Sequence, residues 1–225
     1  MMFKNRFEAG SQLAELLEDY ARKETCLLAI PRGGIQIGHP IAQHLKKPLD
    51  VIIPRKIPCP DNPELALGAV TLDGEIDINQ QLVAELGLTL GDIERLTSPV
   101  QAEIRRRLAV YRGNKPSPDL RGKNVILIDD GLATGYTMMA GIKSVRRESP
   151  ERVVVAVPVS PASTYERVHE SVDELVVLHL GPDRFFAVSS FYENFRDLSD
   201  EQLVQLLEQC NRVSSEGLGA GGESR

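Results

Sequence analysis

Residues 125–137 read VILIDDGLATGYT. The first four are branched apolar side chains of the kind that fill a strand buried on both faces. Asp129 and Asp130 leave that strand together, and Gly131 and Gly135 let the backbone turn its N–H groups inward. Thr134 and Thr137 add hydroxyl groups, and helical spacing begins at about Met138. N–H groups gathered at a helix N-terminus form a phosphate site. Carboxylates repel phosphate, but they accept hydrogen bonds from sugar hydroxyls and coordinate Mg²⁺ through water. Strand, acid pair, glycine loop and helix together describe a cradle for a ribose 5-phosphate. Other phosphate loops do not fit, because no Lys follows Gly135 and no G-x-G-x-x-G opens a helix.

Outward from this stretch, apolar runs at 25–30, 50–54, 153–159 and 174–178 read as further strands, with helical patterns between them. Alternating strands and helices imply an α/β fold, a doubly wound parallel sheet with right-handed crossovers. The run at 50–54 fits a central strand buried on both faces. An opening helix over 7–22 places Phe7, Leu13, Leu16, Leu17 and Tyr20 at helical spacing, and a closing helix covers 198–213. Residues 56–122 depart from the alternation as an inserted hairpin and helical excursion. Asp73-Gly74 marks a hairpin, and Ser98, Pro99 and Gln101 mark a helix start. The core domain is expected over 1–213, and the glycine-rich 214–225 reads as a disordered tail.

The chain has 225 residues and a formal net charge of −6. That balance argues against a nucleic-acid partner, which calls for clustered Lys and Arg on a basic surface. Cys26, Cys59 and Cys210 form no C-x-x-C pair, and their odd number disfavours a disulfide framework. With neither an export signal nor a membrane span in the pattern, the expected location is a reducing cytoplasm. His39, His44, His169 and His179 show no metal-ligand spacing.

The 125–137 stretch resembles the phosphoribosyl pyrophosphate (PRPP) motif of the type I phosphoribosyltransferases, and its LATG portion is closest to the adenine-type version. Two further segments agree. Ala29-Ile30-Pro31-Arg32-Gly33-Gly34 is similar to the family's diphosphate loop, which often holds a non-proline cis peptide. Ile53-Pro54-Arg55-Lys56 is similar to the basic strand end that meets the diphosphate. The resemblance implies a transferase moving ribose 5-phosphate from PRPP to a nitrogen acceptor, a nucleobase in most members, with release of pyrophosphate and Mg²⁺ as cofactor. Asp129 and Asp130 would be the catalytic pair, also placed to meet Mg²⁺ through PRPP and water. Gly131, Leu132, Ala133, Thr134, Gly135, Tyr136 and Thr137 would hold the 5-phosphate. Arg32, Gly33, Gly34, Arg55 and Lys56 would hold the diphosphate, and Arg105, Arg112 or Lys115 of the excursion would serve a lid.

The 6-oxopurine members carry an Asp where this chain has Ala133, which argues against hypoxanthine or guanine as acceptor. Phe185, Phe186, Phe191, Tyr192 and Phe195 supply five of eleven aromatic side chains and read as a base stack or a second small core, with core favoured for Phe185 and Phe195. The partners expected are PRPP and a small nitrogenous acceptor, with a homodimer admitted and with neither nucleic acid nor membrane. A non-catalytic PRPP-sensing regulator of the same fold is the alternative.

Overall fold

A computed structural model describes residues 3–59, 62–70 and 76–219. The elements run α1 (Arg6–Leu16), β1 (Thr25–Ala29), α2 (Gly33–Leu45), β2 (Leu49–Val51), β3 (Lys56–Cys59), β4 (Asn62–Val70), β5 (Ile76–Ile78), α3 (Gln80–Glu85), α4 (Leu90–Arg112), β6 (Asn124–Ile128), α5 (Tyr136–Arg147), β7 (Arg152–Pro161), α6 (Ala162–His169), β8 (Glu174–Gly181) and α7 (Asp200–Gly219).

Five strands form one parallel sheet in the order β2-β1-β6-β7-β8. Successive side chains of a strand point to opposite faces, and β6 shows the consequence. Ile126 and Ile128 pack with Leu13, Ile37, Ile41 and Leu203 beneath α1, α2 and α7. Val125 and Leu127 pack with Met138, Ile142, Val145 and Val168 beneath α5 and α6. Both faces are covered, which is why β6 and β7 read as unbroken apolar runs. From β1 the chain steps to β2 on one side, and from β6 it steps to β7 and β8 on the other. The reversal falls between β1 and β6, where a doubly wound sheet opens a ligand crevice at the carboxyl ends of its strands.

Of the 50–54 run only Asp50 and Val51 lie in a strand, β2, and that strand is at the sheet edge and not its centre. Its outer peptide groups are satisfied by side chains: Arg112 donates to the Val51 carbonyl at 2.8 Å, and Asn211 bonds both peptide groups of Leu49. Covering an edge this way removes its pairing hazard.

The excursion folds as a second, antiparallel sheet of β3, β4 and β5. Val70 lies opposite Ile76, as a hairpin requires, and the Asp73-Gly74 turn itself lies outside the described residues. Ile57, Leu67 and Val83 form its small core. Helix α4 begins eight residues before the expected Ser98. The Thr89 side chain accepts from the Asp92 N–H and the Asp92 carboxylate accepts from the Thr89 N–H, a reciprocal cap that starts the helix at Leu90 and leaves Pro99 inside it. A proline there deletes one backbone bond without stopping the helix, because Ile104, Leu108 and Tyr111 farther along are buried in the main core. Helix α7 continues past the expected 213 to Gly219, and 220–225 lie outside the described residues. Among the described residues no helix is long and apolar enough to cross a membrane.

Candidate active site

The loop after β6 has an inner and an outer side. Leu132 turns inward, its side chain buried and its N–H donating to the Val159 carbonyl at 2.9 Å. The Thr164 hydroxyl donates to the Ala133 carbonyl at 2.9 Å, and Arg167 donates to the Thr134 carbonyl. With one N–H tied back to β7 and two carbonyls tied to α6, the loop leaves Ala133, Thr134, Tyr136 and Thr137 exposed. Gly135 caps α5 at φ +71°, a left-handed conformation suited to glycine, and a Cβ there would stand 2.8 Å from the Thr164 methyl. The first N–H groups of α5 have no partner one turn back within the helix, so they and the helix dipole favour an anion.

Asp129 and Asp130 stand at the root of this loop. One Asp129 carboxylate oxygen accepts from the Asp130 N–H at 2.8 Å. Burial, and then the neighbouring Asp130 charge, holds the Asp129 carboxyl well above the ordinary carboxylate range. Burial also raises Asp130, opposed by the guanidinium of Arg6. Arg6 is 3% exposed and its Nε lies 2.7 Å from Asp130 Oδ2. Tyr192 closes over the same residue, its hydroxyl donating to the Asp130 carbonyl at 2.7 Å. Neither Arg6 nor Tyr192 stood out as a partner of the acid pair in the sequence. The only local signal for Arg6 is a cationic residue at the start of an amphipathic helix, a position where charge is ordinary.

The loop after β1 meets the acid pair across the β1/β6 gap. The Ile30 N–H donates to the Ile128 carbonyl at 2.9 Å, and the Pro31–Arg32 peptide is cis. A Cβ on Gly33 would lie 2.0 Å from Asp130 Oδ2, and one on Gly34 would lie 2.5 Å from the Ile128 carbonyl oxygen. The two glycines are therefore what allows the backbone to lie against the acid pair. The exposed Arg32 reaches Asp200 at the start of α7, 3.3 Å away, and Arg107 of α4 lies 3.4 Å from the Pro31 carbonyl.

The third basic segment borders the phosphate loop. Exposed Arg55 lines a cavity of about 520 Å³ together with Pro99, Val100 and Glu103 of α4 and Tyr136 and Thr137 of α5. Lys56 opens β3, and its side chain lies outside the described residues. Of the lid candidates, Arg105 and Lys115 are exposed and line a shallow hollow beside α4. Arg112 is buried, with Nε 3.0 Å from Asp50 and further donations to Ser117 and Val51, so the structure ties it to the sheet edge.

The aromatic cluster divides. Phe185 is 96% exposed at φ +58°, so its expected core place is not what the structure gives. Phe195 is partly buried against the core, with the Arg6 guanidinium 3.7 Å above its ring. Tyr192 is buried.

The fit of Mg²⁺ to this site turns on the donor set. Among the described residues no three His, Cys, Asp or Glu side chains gather as a protein cage. Two adjacent carboxylates destabilised in their charged form suit a hydrated Mg²⁺ that keeps its waters and takes most ligands from a diphosphate. Asp129 and Asp130 would be the residues facing it.

A family model described as "Phosphoribosyl transferase domain" matches residues 6–194. The chain is 34% identical over 215 residues to the Mycobacterium tuberculosis protein named "Putative phosphoribosyl transferase Rv0571c", covering 96% of this chain and 48% of that one. A "Ribose-phosphate pyrophosphokinase" of Pyrococcus furiosus is 38% identical over 66 residues, 28% of this chain and 24% of that protein. The crystal structure of the Thermus thermophilus protein TT1426 superposes with a TM-score of 0.81 at 36% identity, covering 93% of this chain and 99% of that one. The chain spans about half the length of the mycobacterial relative. With the strand order, the acid pair and the two glycine loops in the places described, the chain belongs to the phosphoribosyl transferase domain family.

Proposed function

We propose that the protein transfers ribose 5-phosphate from PRPP to a small nitrogen nucleophile and releases pyrophosphate. The observation that supports this reading is the close approach of the Gly33-Gly34 loop to Asp130 and Ile128, which brings the loop proposed for the diphosphate against the acid pair proposed for the ribose. The N-terminus of α5 and the exposed Thr134 and Thr137 anchor the 5-phosphate, a contribution through orientation. Asp129 and Asp130 accept the ribose hydroxyls and keep negative charge beside the sugar as its anomeric carbon becomes cationic. Arg32 and Arg55 neutralise the departing diphosphate. Mg²⁺, when bound, supplies charge neutralisation on the diphosphate oxygens. The α4 wall of the 520 Å³ cavity, with Pro99 and Val100, limits water beside the phosphate loop.

The absence of a carboxylate at Ala133 supports an acceptor other than a 6-oxopurine, with another nucleobase or a simple amine as the classes to examine. The test is pyrophosphate release from PRPP with Mg²⁺ against a panel of purines, pyrimidines, orotate and amines. Turnover with one acceptor class is expected. PRPP binding with no turnover on any acceptor would instead favour a regulatory PRPP sensor.

A further inference from the structure

The acid pair is treated unequally by the rest of the protein. Arg6 places three donors on three separate acceptors: Nε on Asp130 Oδ2 at 2.7 Å, Nη1 on the Arg196 carbonyl at 3.1 Å and Nη2 on the Asp197 carboxylate at 3.2 Å. Its guanidinium lies over the Phe195 ring, and the ring of Phe195 packs on that of Tyr192, 5.1 Å between centroids. Tyr192 returns to the Asp130 carbonyl, so the segment 192–197 is bound to the Asp130 backbone through the Tyr192 hydroxyl and to its side chain through buried Arg6. The same carboxylate oxygen, Oδ2, lies against Gly33 of the loop proposed for the diphosphate. Asp129 has no such cationic partner in hydrogen-bond contact among the described residues.

A fully buried guanidinium is costly unless all its donors are satisfied in fixed geometry, and a planar fork of five donors is the side chain that can do so. Surface charge optimisation does not account for Arg6, because it is 3% exposed and one of its partners is a member of the acid pair. We propose that Arg6 is a positioning residue that fixes the Asp130 carboxylate between the diphosphate loop and the 192–197 segment, so that Asp130 serves as the rigid wall of the ribose site and Asp129 as its adaptable member. This rests on the phosphoribosyl-transfer reading above. It adds a residue 123 positions before the acid pair, on an element that carries no part of the motif.

The test is calorimetric titration of Mg²⁺ and PRPP into the wild type, Arg6→Met, Arg6→Lys, Asp130→Asn and the Arg6→Met/Asp130→Asn double variant. Arg6→Met is expected to weaken PRPP binding at least ten-fold. Arg6→Lys, which keeps a charge on Asp130 but gives up the fork, is expected to recover part of that loss. The double variant is expected to bind within about two-fold of Asp130→Asn alone, because Arg6 acts through the carboxylate that is already gone. A purely structural role would not produce that non-additivity. If Arg6→Met does not fold, the double variant, in which residue 130 no longer carries a charge left without its cation, and Arg6→Lys carry the comparison. Wild-type affinity in the Met and Lys variants, or losses that multiply in the double variant, would overturn the inference and leave the phosphoribosyl reading standing. A wild-type protein that does not bind PRPP would overturn both.

Discussion

Arg32 of the diphosphate loop pairs with Asp200 at the start of α7, Nη2 to Oδ1 at 3.3 Å, and the Tyr111 hydroxyl of α4 donates to the same carboxylate oxygen at 2.7 Å. A cation assigned to diphosphate is thus held by an internal carboxylate from one helix, itself oriented by a second. In the proposed function, an incoming diphosphate has to compete with Asp200 for Arg32.

Asp200→Asn is therefore expected to tighten PRPP binding. Both partners are partly exposed, so the pair itself is worth about 0–1 kcal/mol and the melting temperature should move little. A fall of about two- to five-fold in the KM for PRPP is the expected result, read from steady-state kinetics. A KM that rises would mean that Asp200 orients Arg32 for the ligand and does not restrain it.

Gly34→Ala should be severe. Its Cβ would lie 2.5 Å from the Ile128 carbonyl oxygen, which is backbone in a central strand and has little room to yield. A loss of at least a hundred-fold in kcat/KM is expected, about 3 kcal/mol of transition-state stabilisation. Gly113→Ala is the comparison: at φ +64° and ψ −131° it holds a backbone conformation that L residues rarely adopt, but the space around it is open, so it should cost about 1–3 kcal/mol of stability by urea denaturation and little activity.

Asp129→Asn trades activity for stability. Burial and the Asp130 charge raise the folded-state affinity of Asp129 for a proton. The folded protein then binds more protons than the unfolded chain above the ordinary carboxylate range, so stability falls as pH rises from the unfolded value through the raised folded value. The asparagine removes this penalty while keeping an oxygen for the Asp130 N–H. Melting scans at pH 7–8 should show a gain of about 2–4 °C, roughly 1 kcal/mol for a chain of this size, that shrinks toward pH 4. An unchanged or lowered melting temperature at pH 7–8 would contradict the assignment.

Arg112→Met should appear first in stability. The side chain is 6% exposed and holds Asp50, Val51 and Ser117, so its loss takes the side-chain donor from the Val51 carbonyl and the cation from beside Asp50. A cost of about 3 kcal/mol in urea denaturation is expected. A stable variant whose only defect is a raised KM for PRPP would restore Arg112 to a lid role.

The legibility of the fold in the sequence follows from the range of the forces involved. β6 and β7 were readable because burial on both faces demands unbroken branched apolar runs, and the turn from β6 into α5 because its glycine positions are set by backbone geometry within a few residues. The edge position of β2 was not, since a short apolar run looks the same at centre or edge, and the groups that cover it, Arg112 and Asn211, lie far along the chain. The start of α4 was misplaced at Ser98-Pro99, because that local signal is overridden by the reciprocal cap of Thr89 and Asp92 and by burial of the later turns. Arg6, Asp200 and Tyr111 were illegible as site residues because each acts on a partner that only the tertiary fold brings near. Phe185 misled for the opposite reason: an aromatic side chain counts toward a core by composition, yet this one stands in solvent.

The central claim is that Asp129, Asp130 and the two glycine loops form one PRPP site. Its most direct test is calorimetric titration of PRPP, with and without Mg²⁺, into the wild type and the Asp129→Asn/Asp130→Asn double variant. The predicted result is saturable, Mg²⁺-dependent binding by the wild type and at least hundred-fold weaker binding, no longer sensitive to Mg²⁺, by the folded double variant. Binding that survives the double substitution with its Mg²⁺ dependence intact would contradict the account.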